Sequence, residues 1–299
     1  MSTMNASRRA VSLPAAVACA TLWLLAIPAS GQVDSAIDQA EAWLVSQQNG
    51  DGSIGSIPEL VPRDSAAAVL ALAGRPASEP TVTQGADYLE GVGEANAHFR
   101  SRRVLALART GRSADSLLAT LGDFRNGGGM GGFAVHQSNL VDTAFAVQAL
   151  TLDETTYLLE IAALLDYLQL HQGADGGWGF SAQDPSEAYY SAEVLQAFAE
   201  LEELAVGQEV LDGVGGYLFA RQQADGSFGD LVTTALAYRA LLAVGWSPAD
   251  LPFGSPVPYL LAHQQADRSY RSLGGVSPPP RWCGSWNGLR VWTISEFPG

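Results

Sequence analysis

Acidic side chains at the start of alanine-rich stretches are the residues of this sequence best placed to do chemistry. Asp64 and Asp142 each come directly before a small hydroxyl residue and an alanine, where a helix is expected to begin. A carboxylate there can accept hydrogen bonds from free backbone N–H groups, so both are expected to be N-caps. A carboxyl group that burial keeps protonated could instead act as an acid. On that interpretation Asp142 is the candidate catalytic residue, with Glu187 or Glu193 as its helper.

Aromatic and polar side chains near other helix starts could line a pocket for a small molecule. An aromatic pocket with a few polar groups is typical of a ligand site. The candidate ligand-binding residues are Phe133, His136, Tyr189, Tyr190, Glu193, Trp282 and Trp286, and Arg239 has a comparable place. The two tyrosines and the two tryptophans are the candidates for stacking on a ligand. Each of these residues also fits a position in the core or at its rim.

The sequence offers no set of residues suited to binding a metal, a cofactor or a phosphate group. Cys283 is the only cysteine after the N-terminal apolar run, and the chain has just four histidines. One cysteine with few histidines does not make a zinc site. The glycine-rich run 127–132 lacks the preceding strand and the lysine of a phosphate-binding loop. We therefore expect neither a metal nor a cofactor.

The charge of the chain excludes further classes of partner. The formal net charge is −15, and all 16 basic residues are arginines. Such a surface repels nucleic acid and anionic lipid. Arg102 and Arg103 are the only adjacent basic pair after the N-terminal run, and we expect them on a solvated face. We expect the partner to be an apolar or extended small molecule, or another protein.

A thirteen-residue pattern sets the elements that must position these side chains. In each copy an aromatic residue is followed by leucine, a glutamine comes five positions after the aromatic, and a large apolar or aromatic side chain comes eleven after it. The four copies begin at Trp43, Tyr167, Tyr217 and Tyr259. Self-similarity at this spacing is the signature of a repeat architecture.

Each repeat predicts two helices, and the copies start about 30–50 residues apart, which gives about six helix pairs. The second helix of each pair is rich in alanine and leucine nearly all round, as expected of a buried inner helix. The sequence therefore predicts an all-α fold that closes into a ring. The glutamines Gln48, Gln172, Gln222 and Gln264 are interpreted as links between repeats, and His171 and His263 as residues of the outer surface.

The N-terminus has the pattern of a secretory signal peptide. Arg8 and Arg9 precede an apolar run over 15–27, and Ala29-Ser30-Gly31 is a small-residue cleavage pattern. The run is too short to span a membrane, and no other stretch is apolar enough. We expect residues 1–31 to be removed, by the Sec rather than the twin-arginine route, and residues 32–299 to form a secreted or periplasmic domain.

The aromatic–Leu–x3–Gln unit with the turn DGSFG resembles the QW repeat of the squalene cyclase and protein prenyltransferase superfamily. The segment DGSFGDLVTTALAYRALL is also similar to one of transcobalamin and intrinsic factor. Both resemblances imply a single α/α toroid, with six inner helices around a central cavity and six outside.

The resemblance also supplies a reference for the chemistry. Class II terpene cyclases carry an Asp-rich DxDDTA motif, and the matching stretch is Asn139-Leu140-Val141-Asp142-Thr143-Ala144. Only the final aspartate is kept, and Val141 stands where the proton donor is expected. The zinc ligands of the prenyltransferases have no match either.

Three functions fit these observations. The first is a secreted, non-catalytic toroid that binds an apolar or extended ligand, or a partner protein, at its central cavity. The second is a terpene cyclase-like or prenyltransferase-like enzyme with a rearranged acid at Asp142. The third is a carbohydrate-active toroid, whose paired carboxylates would come from Asp142, Asp184, Glu187 and Glu193.

Overall fold

The computed structural model describes residues 30–93, 96–201 and 206–270. Two candidate ligand-binding residues, Trp282 and Trp286, lie outside the described residues. So does nearly all of the predicted signal peptide.

The described residues fold as helix pairs, as the repeat predicts. The first, outer helices of the pairs are α1 (Ser30–Ser46), α3 (Glu79–Gly91), α5 (Asp115–Leu118), α7 (Glu154–Leu170), α9 (Gln208–Phe219) and α11 (Val257–Ala262). The second, inner helices are α2 (Val61–Leu72), α4 (Ala97–Arg109), α6 (Leu140–Leu150), α8 (Ala188–Ala199) and α10 (Leu231–Ala243). In the described residues these make five complete pairs and the first helix of a sixth.

Burial separates the two layers. All eleven residues of α6 are buried, whereas the longer outer helix α7 buries only four of its seventeen. Each inner helix packs against the next inner helix along the chain, from α2 to α10. The main hydrophobic core therefore lies between the inner ring and the outer helices.

The repeated glutamines link one repeat to the next, as predicted. Each side-chain amide donates to a carbonyl of its own turn and to a carbonyl of the neighbouring outer helix or the turn before it. The donors Gln48, Gln172, Gln222 and Gln264 reach the carbonyls of Thr81, Val210, Gly254 and Ala36 at 2.8–3.0 Å. The last of these bonds joins α1 to the turn after α11, so the outer layer closes on itself.

Hydroxyl side chains at the inner-helix starts form a second repeated link. Each hydroxyl oxygen accepts a hydrogen bond from the backbone N–H of a buried apolar or aromatic residue in the preceding loop. The four pairs, at 2.8–2.9 Å, are Ser65 with Ile54, Thr143 with Met130, Ser191 with Trp178, and Thr234 with Phe228. The loop of each repeat is thereby tied to its own inner helix.

The third repeat departs from the expected helix–loop–helix pattern. Its outer element is the four-residue helix α5 followed by a 3₁₀ turn over Leu121–Phe124. The glycine-rich loop that follows is a small antiparallel sheet of β1 (Arg125–Asn126), β2 (Gly129–Gly131) and β3 (Ser138–Asn139). Gly129 packs so closely on Tyr167 that a Cβ atom would lie 2.6 Å from its ring. Gly129 thus allows close packing of this loop on α7.

Over the ranges that the structure describes, no helix combines the length and apolar character needed to cross a membrane.

Candidate functional site: the central lumen

The inner helices pack on one another in sequence around the middle of the ring, and we call the region that their inward faces share the central lumen. Arg102 on α4 and Glu193 on α8 come within 3.9 Å of each other, measured from Nη2 to Oε1. Helix α6 lies between α4 and α8 in the ring, so side chains from the two can meet only inside it. This contact identifies the faces of α4 and α8 that line the lumen.

The lining residues recur at the same heights on different helices. Inner-helix residues three, four or seven apart share one face. Near the helix starts the lumen face carries Arg63, His98, Asp142 and Tyr189; at the sixth helical residue it carries Arg102, Phe145 and Glu193; at the ninth it carries Gln148, Gln196 and Arg239. Sequence reasoning singled out only part of this set.

The sequence predicts Asp142 as the N-cap of α6. The structure instead makes it the third residue of that helix. The cap is Asn139, whose Oδ1 accepts from the Asp142 backbone N–H at 2.8 Å and whose amide donates back to the Asp142 carboxylate. Asn139 takes the cap because its backbone is extended there, while Asp142 already has helical neighbours on both sides. Burial raises the pKa of Asp142 to about 6, against the opposing hydrogen bond from Asn139.

Asp64 is likewise a helical residue and not a cap. Helix α2 begins three residues earlier at Val61, with Pro62 in its first turn, a position that proline favours. The carboxylate of Asp64 instead accepts from the Arg63 guanidinium at 2.6 and 2.9 Å. It therefore neutralises an arginine at the mouth of the lumen.

His98 connects Asp142 to the lumen. Its ring stacks on Phe145 with the centroids 4.2 Å apart, and its Nδ1 lies 3.9 Å from Asp142 Oδ1. The Nε–H of Arg102 donates to His98 Nε2 at 2.6 Å. Because a guanidinium nitrogen can only donate, Nε2 must accept, and the proton of a neutral ring is on Nδ1, facing Asp142.

The adjacent pair Arg102 and Arg103 was expected on a solvated face, but the structure places Arg102 inside the ring. Its side chain is 12% exposed, and its guanidinium lies 4.3 Å from the centre of the Phe145 ring. Burial lowers the pKa of Arg102, which Glu193 and Tyr189 oppose and Arg63 and Arg239 reinforce. Arg103, one residue on, turns 100° away and donates to the carbonyl of Glu90. Helical geometry separates the two neighbours.

A small apolar cluster lies beside these polar groups and meets the main core at Tyr189. We call it the lumen cluster: the buried residues Val141, Phe145 and Tyr190, with Phe180 and Tyr189 packed against them. The rings of Tyr189 and Tyr190 meet edge to face at 5.4 Å, and that of Phe180 lies 5.8 Å from Tyr190. Val141, at the position of the missing proton donor, thus belongs to an apolar surface.

The other candidates from the sequence lie elsewhere. Phe133 and His136 contact each other on an exposed loop at the start of α6, with Phe133 40% exposed. Asp184 and Glu187 are exposed on the loop before α8, where Asp184 accepts from Ser181 at 2.7 Å. The structure thus brings together Asp142, Tyr189, Tyr190, Glu193 and Arg239, and leaves the loop residues outside the lumen.

Four residues of this site were not identified from the sequence as functional candidates: His98, Arg102, Asn139 and Phe145. The signal for the first two was a histidine and an arginine four residues apart, on one face of an otherwise apolar inner helix. Together the groups form a chain of polar contacts from Asn139 through Asp142 and His98 to Arg102. These contacts orient the guanidinium of Arg102 in the lumen next to an aromatic surface. Such an arrangement is suited to holding an amphipathic molecule.

Comparison with known proteins agrees with the architecture. The chain matches the family described as the prenyltransferase alpha-alpha toroid domain over residues 13–74 and 98–235. No curated protein sequence matches it significantly.

Solved structures of type II terpene cyclases have the same fold. The apo type II terpene cyclase MstE from Scytonema is 18% identical over 82% of each chain, with a TM-score of 0.67. Its R337A variant, in complex with the substrate geranylgeranyl dihydroxybenzoate, is 18% identical over 81% of each chain, with a TM-score of 0.64. The ent-copalyl diphosphate synthase from Streptomyces platensis is 25% identical, covers 70% of this chain and 45% of its own, and has a TM-score of 0.56.

Proposed function

Because this chain belongs to the prenyltransferase α/α toroid family, we propose that its central lumen binds the apolar chain of a small amphipathic molecule and holds it without chemical change. The lumen cluster carries the proposal. Its residues cluster separately from the main core, which only Tyr189 also contacts, and on this proposal they offer an apolar wall to a ligand. Secretion of the protein, expected from the N-terminal pattern, is part of the same proposal.

A prenyl chain is a suitable probe for this wall. The structurally similar MstE R337A holds geranylgeranyl dihydroxybenzoate, and aromatic side chains bind such branched, unsaturated chains through large contact areas. Geranylgeraniol presents the chain with an uncharged head, so its binding measures the apolar contribution alone.

The test is calorimetric titration of geranylgeraniol into the protein and into Tyr189→Ala. Tyr189 is partly buried at the edge of the lumen cluster, and loss of its ring should weaken binding about tenfold. Tyr157→Ala, which removes a partly buried tyrosine from the outer helix α7, is the matched control and should bind like the unchanged protein. No binding to the unchanged protein, or equal weakening in both variants, would overturn the proposal.

Acid catalysis at Asp142 is the second candidate, favoured by the raised pKa of that carboxyl. Its contacts argue against it, because the carboxylate is held by the Asn139 amide beside His98, while Val141 belongs to the lumen cluster. Incubation with geranylgeraniol and product analysis separates the two: cyclised product from the unchanged protein, absent with Asp142→Asn, would favour catalysis.

A further inference from the structure

The outward face of α7 carries leucines where the outer helices α1 and α9 carry polar or small residues. Leu159 is 86% exposed and Leu170 is 80% exposed. The repeat pattern gives Tyr167 on α7 the same register as Trp43 on α1 and Tyr217 on α9, so the positions eight before and three after each aromatic residue are equivalent. The equivalent residues, all exposed, are Ser35 and Ser46 in the repeat of α1 and Glu209 and Ala220 in that of α9. The fold therefore does not require leucine at these two positions of α7.

The two leucines belong to one stripe of α7. They are eleven residues apart, which corresponds to three helical turns and about 16 Å along the axis. By helical spacing the stripe consists of Leu159, Ala162, Ala163, Asp166 and Leu170, and we call it the outer stripe. Its alanines leave room for the backbone of a second helix to approach between the two larger side chains. Exposed apolar side chains that share one helix face, rather than lying singly, are the usual anchors for such a helix.

The charges of α7 decide which partner fits this surface. The helix contains Glu154, Glu160 and Asp166 and no basic residue. Asp166 is exposed and lies within about 2 Å of the midpoint between the two leucines along the helix axis. Two copies of α7 packed on each other through the outer stripe, parallel or antiparallel, would therefore bring their Asp166 carboxylates together, which is unfavourable. The same charges oppose an anionic membrane surface, so the complementary partner is basic.

We propose that the outer stripe docks an amphipathic helix of another protein, which sets apolar side chains against Leu159 and Leu170 and a basic side chain against Asp166. A helix fits because residues on one of its faces can match two apolar positions that are three turns apart on α7. The surface is separate from the lumen, since α7 packs on α6 from outside the inner ring and both leucines are exposed. A partner helix and a lumen ligand can therefore be bound at the same time.

The test measures the fluorescence anisotropy of a labelled helical peptide of about 18 residues, long enough to cover the outer stripe, with leucines on one face and arginines beside them. A matched peptide has glutamates in place of the arginines, and it should bind the unchanged protein about tenfold more weakly. Asp166→Asn should reduce that difference about threefold.

The double variant Leu159→Ser/Leu170→Ser takes the residues that α1 has at the same register. It should bind the arginine peptide about tenfold more weakly than the unchanged protein does. Phe253→Ser, which removes a 51% exposed aromatic ring from the turn before α11, is the control and should bind that peptide normally.

Other occupants of the outer stripe give different results. No binding of the arginine peptide, equal binding of the two peptides, or equal binding by the unchanged protein and the double variant overturns the proposal. So does a concentration-dependent dimer in sedimentation velocity, or retention on neutral phosphatidylcholine vesicles, if the double variant loses it, because the occupant would then be a second copy of this chain or a lipid surface. Both leucines are exposed, so the double variant should keep its circular dichroism spectrum and bind geranylgeraniol like the unchanged protein.

Discussion

Arg102 donates a 2.6 Å hydrogen bond from Nε to Nε2 of His98, the residue four positions before it on α4. This bond sets the proton of His98 on the side of Asp142 and holds the guanidinium over Phe145. A surface arginine would be free to sample many rotamers, whereas this one is oriented before any ligand arrives. Such preorganisation lowers the entropic cost of binding.

The pKa of Asp142 makes stability depend on pH. Burial raises the pKa from 3.8 to about 6, so the folded protein holds this proton more tightly than the unfolded chain does. The free energy of unfolding should then fall as pH rises from about 4 to about 6 and change little above. Asp142→Asn removes the effect, so it should be more stable than the unchanged protein at pH 7, by up to about 3 kcal/mol, with no gain at pH 3.5.

Urea unfolding at the two pH values checks this prediction. Asp166→Asn, at an exposed position on α7, is the control and should change stability by less than about 0.5 kcal/mol at either pH. An Asp142→Asn protein that is less stable than the unchanged one at pH 7 would show that the carboxylate is a favourable partner of His98 and not a strained group.

Substitutions of Arg102 and Glu193 should have strongly non-additive effects on the free energy of unfolding. Glu193 is 1% exposed, so Arg102→Met leaves a buried carboxylate facing an apolar side chain and should cost about 3–5 kcal/mol. Adding Glu193→Gln removes that charge, and the double variant should be more stable than Arg102→Met alone. A double-mutant cycle by urea unfolding measures the coupling, and additive effects would contradict the pairing. Arg221→Met is the control, since the Arg221 side chain is 39% exposed and its guanidinium lies 3.7 Å from Asp175.

Closure of the ring depends on Gln264. Its amide donates to the carbonyl of Ala36 at 3.0 Å, across 228 positions of the chain. Gln264→Ala should lower the free energy of unfolding by about 1–2 kcal/mol and speed amide hydrogen exchange in α1 first. Gln265→Ala, one residue on, loses only a bond to its own turn and should leave α1 protected. Equal exchange of α1 in the two variants would mean that the contact does not hold the ring closed.

The architecture was predictable because its determinants repeat along the chain. The spacing from Trp43 to Gln48 recurs three more times, and each copy of that glutamine makes the same two bonds in the structure. Because the pattern appears four times, the residues that specify the fold can be distinguished from the unrepeated residues beside them. The all-α toroid followed from it, and the structure and the family match confirm that fold.

The lumen was less predictable because its determinants occur once each. Arg63, Arg102 and Arg239 are far apart in the sequence and influence one another electrostatically only because the ring brings α2, α4 and α10 to one centre. Arg102 and Arg103 look alike as neighbours, but one helical step of 100° turns Arg102 toward Glu193 and Arg103 toward the carbonyl of Glu90. The predicted caps were wrong as well. Asn139 caps α6 and α2 begins at Val61, so Asp142 and Asp64 each lie inside the helix that they were expected to cap.

Native mass spectrometry of the protein with geranylgeraniol tests the central claim most directly. The account predicts one ligand per chain on the unchanged protein and none on Ala235→Trp. This variant fills the lumen from α10, one turn before Arg239, and circular dichroism would first show that it is folded. A folded Ala235→Trp protein that retains the ligand, or an unchanged protein that carries none, would contradict binding in the central lumen.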